Sequence, residues 1–309
     1  MIIDNAIAVI DFGSQYTQLI VRRIRELGYF SRLYQPGELR ETGKPAAVIL
    51  SGGPRSTLDA NAPDIDFDYL VELNVPVLGV CYGMQLLNLK FGGSVQKSSS
   101  REYGRAILVP EEEGGLLEGV SKSQIWMSHS DTCVMAPEST VTARNLEGTP
   151  VALRWNDRFQ GIQFHPEVSH SHQGMQVLKN FLSQADNLPE FRMEDFKDQL
   201  IREVRDEVGE HLVVCGVSGG VDSTVLAMLL HESGVNARYI FVDHGMLRHE
   251  EAAEVQRQFE SVGIEIETVD ASETFLSALE GIEDPEKKRD IIGNLFVDVF
   301  FGAVGENDM

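Results

Sequence analysis

The chain has 309 residues, 42% of them hydrophobic and 24% charged, with a formal net charge of −22. The length suits about two domains of ~150 residues, and the composition excludes a disordered, collagen-like or disulfide-scaffold chain. Residues 1–187 carry 16 basic and 21 acidic side chains, residues 188–309 carry 10 and 27, an acidity that argues against binding nucleic-acid phosphates or an anionic membrane surface. A phosphate ligand in the acidic half would need backbone N–H groups and a divalent cation; the alternative is acidity that serves solubility alone. No apolar run reaches the ~18 residues of a membrane span. The opening MIIDNAIAVIDFG lacks a basic n-region and a small-residue cleavage site, so no signal peptide is expected. Cys81, Cys133 and Cys215, far apart and odd in number, read as reduced thiols of a cytoplasmic protein.

Strand and helix patterns alternate from the start. AIAVI (6–10) ends at Asp11-Phe12-Gly13, and a helix is expected from Ser14, with Ile20, Ile24 and Leu27 on one face and Gly28 as its stop. AAVIL (46–50) and VPVLGV (75–80) are further buried strands ending in glycine-bearing turns. Such near-continuous apolar runs fit a parallel sheet covered on both faces. Between about 105 and 164 the runs RAILVP, QIWMS, TVTARN, VALRW and GIQF lie close together, which predicts an antiparallel extension before a helix near 173–185. The polar, proline-bearing stretch 186–190 reads as a linker, with a domain boundary at 187/188. A second alternation follows: helix 194–208, strand 212–217, helix 222–233, strand 237–242, helix 249–262, strand 264–269 and helix 285–301, then the tail GAVGENDM. The expected class is α/β, with two doubly wound, mostly parallel open sheets, the second incomplete.

Gly79-Val80-Cys81-Tyr82-Gly83 joins a buried strand to a helix. A cysteine there is exposed on a sharp turn near a positive helix N-terminus, as in a nucleophile elbow, and the glycines would let the backbone turn and a substrate approach. The alternative is a small buried hydrophobe. His165-Pro166-Glu167 ends another strand, and residues i and i+2 of an extended segment share a side. Glu167 can therefore orient His165 toward a thiol, the nucleophile–base–orienter arrangement. Ser51-Gly52-Gly53-Pro54 is either a simple turn or an oxyanion hole, with the Gly53 and Tyr82 N–H groups holding developing charge.

In the second half, Ser218-Gly219-Gly220-Val221-Asp222-Ser223-Thr224 follows a strand and opens a helix. It lacks the GK[ST] ending of a Walker loop. Its glycine N–H groups, its hydroxyls and the helix N-terminus favour an anion.

GVCYGMQ, SGGP and GIQFHPE, in this order and spacing, resemble the class I (triad) glutamine amidotransferase domain over nearly all of residues 6–185. The resemblance implies that Cys81 attacks the side-chain amide of glutamine. His165 takes the thiol proton and returns it to the leaving ammonia, Glu167 orients His165, and water releases glutamate from the thioester. SGGVDST resembles the PP-loop of N-type ATP pyrophosphatases, which implies ATP contacts at Ser218, Gly219, Gly220, Val221, Asp222, Ser223 and Thr224, with Mg²⁺ accompanying the nucleotide. The strand end FVDHGMLR would place Val242 against the adenine.

Together with IDFGSQYTQLIVRRIRELG, SGGPRST, WMSH and HPEVSHSHQG, these motifs are similar to the glutamine-hydrolysing GMP synthase family. The implied reaction is XMP + ATP + glutamine + water to GMP + AMP + pyrophosphate + glutamate, with Arg289 of DPEKKR meeting the XMP phosphate. Four positions depart from the family: Ser130 and Thr132, in Ser130-Asp131-Thr132 for Gly-Asp-Lys, His244 for Asn, and Asp290 for Lys. The alternatives are a stand-alone glutaminase subunit that delivers ammonia to a separate partner, and a non-catalytic ATP-binding remnant, against which the intact Cys81, His165 and Glu167 speak. The resemblance also leads us to expect a C-terminally truncated chain, without the rest of the pyrophosphatase sheet or the dimerisation domain of the usually homodimeric family. Full GMP-forming activity by this chain alone is therefore not expected.

Overall fold

The computed structural model describes residues 5–41, 43–248 and 250–305. The chain divides into two compact units between Arg192 and Met193.

The first unit runs β1 (Ile7–Ile10), α1 (Thr17–Glu26), β2 (Ser31–Tyr34), a 3-10 turn (Pro36–Glu41), β3 (Ala47–Leu50), α2 (Phe67–Glu72), β4 (Val77–Val80), α3 (Tyr82–Lys90), β5 (Ser94–Pro110), a second 3-10 turn (Gly115–Leu117), β6 (Ser123–Val134), β7 (Thr140–Asn145), β8 (Pro150–Arg154), β9 (Phe159–Ile162) and α4 (Gly174–Leu182). They form one sheet in the order β2-β1-β3-β4-β9-β8-β7-β5-β6. The first five strands of that order are parallel, and the rest extend the sheet antiparallel, as the closely spaced runs predict. Side chains alternate between faces. Ile7 and Val9 pack with Ile20 and Ile24 of α1 and Val177 and Phe181 of α4. Ala8 and Ile10 pack with Leu70 of α2 and Met84 and Leu87 of α3. This two-sided burial is why the central strands read as unbroken apolar runs.

Several boundaries differ from expectation. Helix α1 begins at Thr17, not Ser14, because the Ser14 hydroxyl accepts the Tyr16 N–H and Thr17 Oγ1 donates to Asp11 Oδ1, which keeps residues 11–16 in a loop. Strand β5 begins at Ser94 instead of Arg105; its polar first half shows no alternation and is held by the ladder with β6. Edge strand β2, too short and mixed to stand out, forms by parallel pairing with β1. The domain boundary expected at 187/188 also falls later in the chain. Phe30 N–H donates to Pro189 C=O (2.9 Å), Phe191 N–H donates to Gly28 C=O (2.8 Å), and the Arg25 guanidinium lies 5.3 Å from the Phe191 ring centroid. Residues 188–192 therefore belong with the first unit.

The second unit runs α5 (Met193–Val208), β10 (Val213–Val217), α6 (Val221–Ser233), β11 (Ala237–Asp243), α7 (Glu251–Ser261), β12 (Glu267–Asp270), α8 (Ser272–Leu279) and α9 (Pro285–Val304). Its sheet is parallel, in the order β10-β11-β12. Helices α6 and α7 cover one face through Ala227, Leu230, Val255 and Phe259, and α8 and α9 cover the other through Phe275 and Val304. The strand expected over 264–269 starts later, since Ile264 is used as core where the chain leaves α7 and the ladder begins at Glu267. The expected helix start at residue 249 and the tail beyond residue 305 lie outside the described residues.

Candidate active site

Cys81 sits between β4 and α3 with φ 52° and ψ −103°, a conformation that costs a non-glycine residue about 1–3 kcal/mol. The surrounding packing holds it there. Cys81 N–H donates to Ile162 C=O at 2.8 Å, tying the elbow to the end of β9. The flanking glycines serve this packing more than substrate approach: a Cβ on Gly79 would lie 2.6 Å from the Gly83 backbone, and one on Gly83 would lie 2.3 Å from the Leu50 carbonyl oxygen. The start of α3 is thus pressed directly onto β3 and β4.

β9 leads into the segment that bears His165 and Glu167. His165 Nδ1 lies 2.7 Å from Glu167 Oε1, and both side chains are almost wholly buried. Cys81 lines the same cavity as the ring, and its side chain favours the protonated ring. Burial works against a charged His165 ring, but the Cys81 and Glu167 side chains outweigh it, and its pKa is pushed up to about 10. Tyr16 meets the ring edge-on at 5.1 Å between centroids, and Arg23 Nε donates to the Glu167 carbonyl at 2.9 Å.

Cys81 and His165 line a cavity of about 480 Å³ together with Gly53, Tyr82, Gln85, Arg55, Tyr103 and residues 128–131 of β6. Gly53 and Tyr82 are neighbours in its wall: a Cβ on Gly53 would lie 2.8 Å from the Phe12 carbonyl oxygen and 3.3 Å from Tyr82 Cγ. Tyr82 opens α3, so its N–H has no intrahelical acceptor. The opposite wall is braced by Asp131, whose carboxylate accepts from Ser56 Oγ and whose carbonyl accepts from Gln85 Nε2 and faces His129 Nδ1 at 2.9 Å. Burial, the largest influence on His129, pulls its pKa down and favours the neutral ring. Of the two departing residues in Ser130-Asp131-Thr132, Ser130 therefore falls in the cavity wall, outside the Cys–His–Glu set.

The structure thus gathers Cys81, His165, Glu167, Gly53 and Tyr82. Sequence reasoning missed Tyr16, Arg23, Ser56 and Ser171, which reach the site only through folding. The motif IDFGSQYTQLIVRR contains two of them but gives no spacing signal for a contact with residues 165–167.

In the second unit, residues 218–220 link β10 to α6 and residues 221–224 form the first turn of that helix. Gly219 has φ +74°, and a Cβ there would lie 2.6 Å from Val255 Cγ2. The Ser223 hydroxyl accepts from Ser218 N–H and donates to Gly220 C=O, and Thr224 Oγ1 donates to the same carbonyl. This closes the loop and leaves the first-turn N–H groups of α6, at Val221, Asp222 and Ser223, without intrahelical acceptors on an exposed surface. Val242 stands at the same sheet end, but its side chain is buried with Ala271 and Phe275, so the loop can be neighboured only by its backbone. Arg289 pairs with Glu286 on its own helix at 3.2 Å. His244 Nδ1 accepts from Met246 N–H, a turn-capping role. Among the described residues no cluster of three or more His, Cys, Asp or Glu side chains could hold a metal, and no helix is long and apolar enough to cross a membrane.

The model of the family "glutamine amidotransferase class-I" matches residues 8–185. That of the "tRNA methyl transferase HUP domain" matches residues 211–280. The chain is 48% identical over 307 residues to the glutamine-hydrolysing GMP synthase of Thermosipho africanus, covering 97% of this chain and 60% of that protein. It is 47% identical over 301 residues to the glutamine-hydrolysing GMP synthase of Thermus thermophilus, covering 95% and 59%. The chain therefore spans about 60% of the length of these curated relatives. Among solved structures, a Thermoplasma acidophilum protein provisionally assigned as one subunit of a GMP synthase matches with TM-score 0.51 and 28% identity, over 59% of this chain and 94% of that one.

Proposed function

The chain belongs to the class I glutamine amidotransferase family, and from that premise we propose that it hydrolyses glutamine at Cys81 and serves GMP synthesis from XMP, ATP and glutamine. The observation that carries this reading is the buried His165–Glu167 pair, 2.7 Å apart, its ring lining the same cavity as a cysteine held at an elbow. His165 takes the Cys81 thiol proton, Sγ attacks the glutamine amide carbon, and the Gly53 and Tyr82 N–H groups receive the developing oxyanion. The proton on His165 goes to the departing ammonia, while Glu167 keeps the ring oriented and its charge compensated. Water, deprotonated by His165, then cleaves the thioester to glutamate.

The second unit takes ATP at the 218–224 loop. Glycine and first-turn N–H groups supply the donors, and Mg²⁺ travels with the nucleotide phosphates, which fits a loop with donors and, among the described residues, no preformed carboxylate cage. An oxygen of XMP then attacks the α-phosphorus of ATP and releases pyrophosphate, with Arg289 assigned to the XMP phosphate, and ammonia displaces AMP. We place this chemistry in the cytoplasm. A second reading is favoured by the Thermoplasma acidophilum protein, which matches over nearly its whole length while covering 59% of this chain: the first unit as a glutaminase that delivers ammonia to a separate partner.

The deciding experiment supplies the purified chain with glutamine, XMP and Mg-ATP and follows glutamate, AMP and GMP by chromatography. Glutamate release that stops in Cys81→Ala supports the glutaminase; release unchanged in that variant overturns it. AMP and GMP formed together support the full reaction, and glutamate without either favours the second reading.

A further inference from the structure

The loop between β9 and α4 carries His165 and Glu167 but is not itself a strand or helix. It is held by β6. His165 N–H donates to Trp126 C=O at 3.0 Å, His172 N–H to Gln124 C=O at 3.0 Å, and Gln124 Nε2 to His170 C=O at 2.9 Å. Where a neighbouring strand would offer a carbonyl to the Trp126 N–H, a side chain does so: Ser171 Oγ accepts at 3.0 Å. The same hydroxyl donates to the His165 carbonyl. Ser171 is 5% exposed, so its hydroxyl is withdrawn from solvent.

We propose that Ser171 is a positioning residue for the glutaminase reaction, its hydroxyl fixing the height of His165 against β6 and thereby the approach of the ring to Cys81. The nucleophile is referenced to the same strand, since Cys81 Sγ lies 3.7 Å from the Ser128 carbonyl oxygen, two residues along from Trp126. Ser171 thus completes a short circuit: Cys81 to Ser128, along β6 to Trp126, through one hydroxyl to His165. A hydroxyl suits the place because it both donates and accepts. Without it the Trp126 N–H and the His165 C=O are left buried and unpaired, and a shift of about 1 Å in a catalytic group can cost a hundredfold in rate.

This role rests on the glutaminase reading, and the test separates the two. Glutamate release is measured against glutamine concentration and pH for the wild type, Ser171→Ala, Ser171→Thr and Cys81→Ala, with thermal unfolding and circular dichroism as checks of folding. The expected result is a kcat for Ser171→Ala lower by about tenfold or more, a KM within about twofold of wild type, an alkaline limb of the pH profile moved down from the wild-type position, and recovery in Ser171→Thr. A folded Ser171→Ala with kcat and alkaline limb within about twofold of wild type, beside an inactive Cys81→Ala, overturns the role of Ser171 and leaves the glutaminase reading standing. Activity retained in Cys81→Ala sinks that reading instead. Should Ser171→Ala fail to fold, Ser171→Cys, close in volume but a poor hydrogen-bonding group, carries the same comparison, and wild-type kcat in that variant overturns the proposal.

Discussion

His165 and Glu167 share a 2.7 Å hydrogen bond from which water is excluded, and the second carboxylate oxygen of Glu167 has no hydrogen-bond partner among the described residues. The carboxylate is therefore committed to the ring. Glu167→Gln preserves shape and removes charge, so kcat for glutamate release should fall by about 10²–10³, with less effect on KM. Steady-state kinetics check this, and equal kcat in the two proteins would show that the carboxylate does not act through its charge.

The three cysteines should differ in reactivity. Burial, the main influence, pushes the Cys133 thiol up to about 12 and raises Cys215, so both stay protonated near pH 8. A diazoketone analogue of glutamine should label Cys81 alone, as read by peptide mass mapping, and excess glutamine should protect it. Labelling of Cys133 at a comparable rate would contradict the site.

The raised pKa of His165 predicts a ring that stays protonated through neutrality and titrates near pH 10. Because the folded value lies above the unfolded one, the bound proton stabilises the fold fully below about pH 6.5, and this contribution is lost as pH rises through about 10. Ring-nitrogen NMR should show the midpoint dropping in Cys81→Ala, which removes one of the side chains that favour the proton. A midpoint near the ordinary histidine value in the wild type would refute this.

Gly83 is required by contact, not by backbone angle. A methyl there meets the Leu50 carbonyl oxygen at 2.3 Å, and backbone cannot step aside as a flexible side chain can. Gly83→Ala should destabilise the first unit by about 1–3 kcal/mol, seen as a thermal midpoint several degrees lower, and should abolish glutamate release by moving the elbow. Gly37→Ala, with no atom within 4 Å of the new methyl, serves as the control and should leave both unchanged.

In the second unit, ATP binding should depend on Mg²⁺, because residues 188–309 carry 27 acidic against 10 basic side chains. Ser223→Ala removes the hydroxyl that joins Ser218 to Gly220 and should weaken ATP by about tenfold. Calorimetric titration with and without Mg²⁺ reads both effects, and tight metal-independent binding would mean that the acidity lies away from the loop.

Much of the fold was legible in the chain. Strands 7–10, 47–50, 77–80 and 213–217 announce themselves as apolar runs because both faces of each sheet are covered, and Cys81, His165 and Glu167 stand at strand ends, where short-range pattern suffices to place them. What local pattern could not carry is whatever depends on pairing across distance. The polar start of β5 is a strand only because β6 lies beside it, and β2 only because β1 does. Linker residues 188–192 join the first unit through Phe30 and Gly28, far upstream. The chain by itself determined which groups can serve as nucleophile, base and orienter, since these roles need particular residue types at strand ends. The tertiary structure alone decided why Gly79 and Gly83 are glycine and that a hydroxyl at Ser171 fastens His165 to β6, because close approach and hydrogen-bond closure are properties of atoms brought together from distant segments.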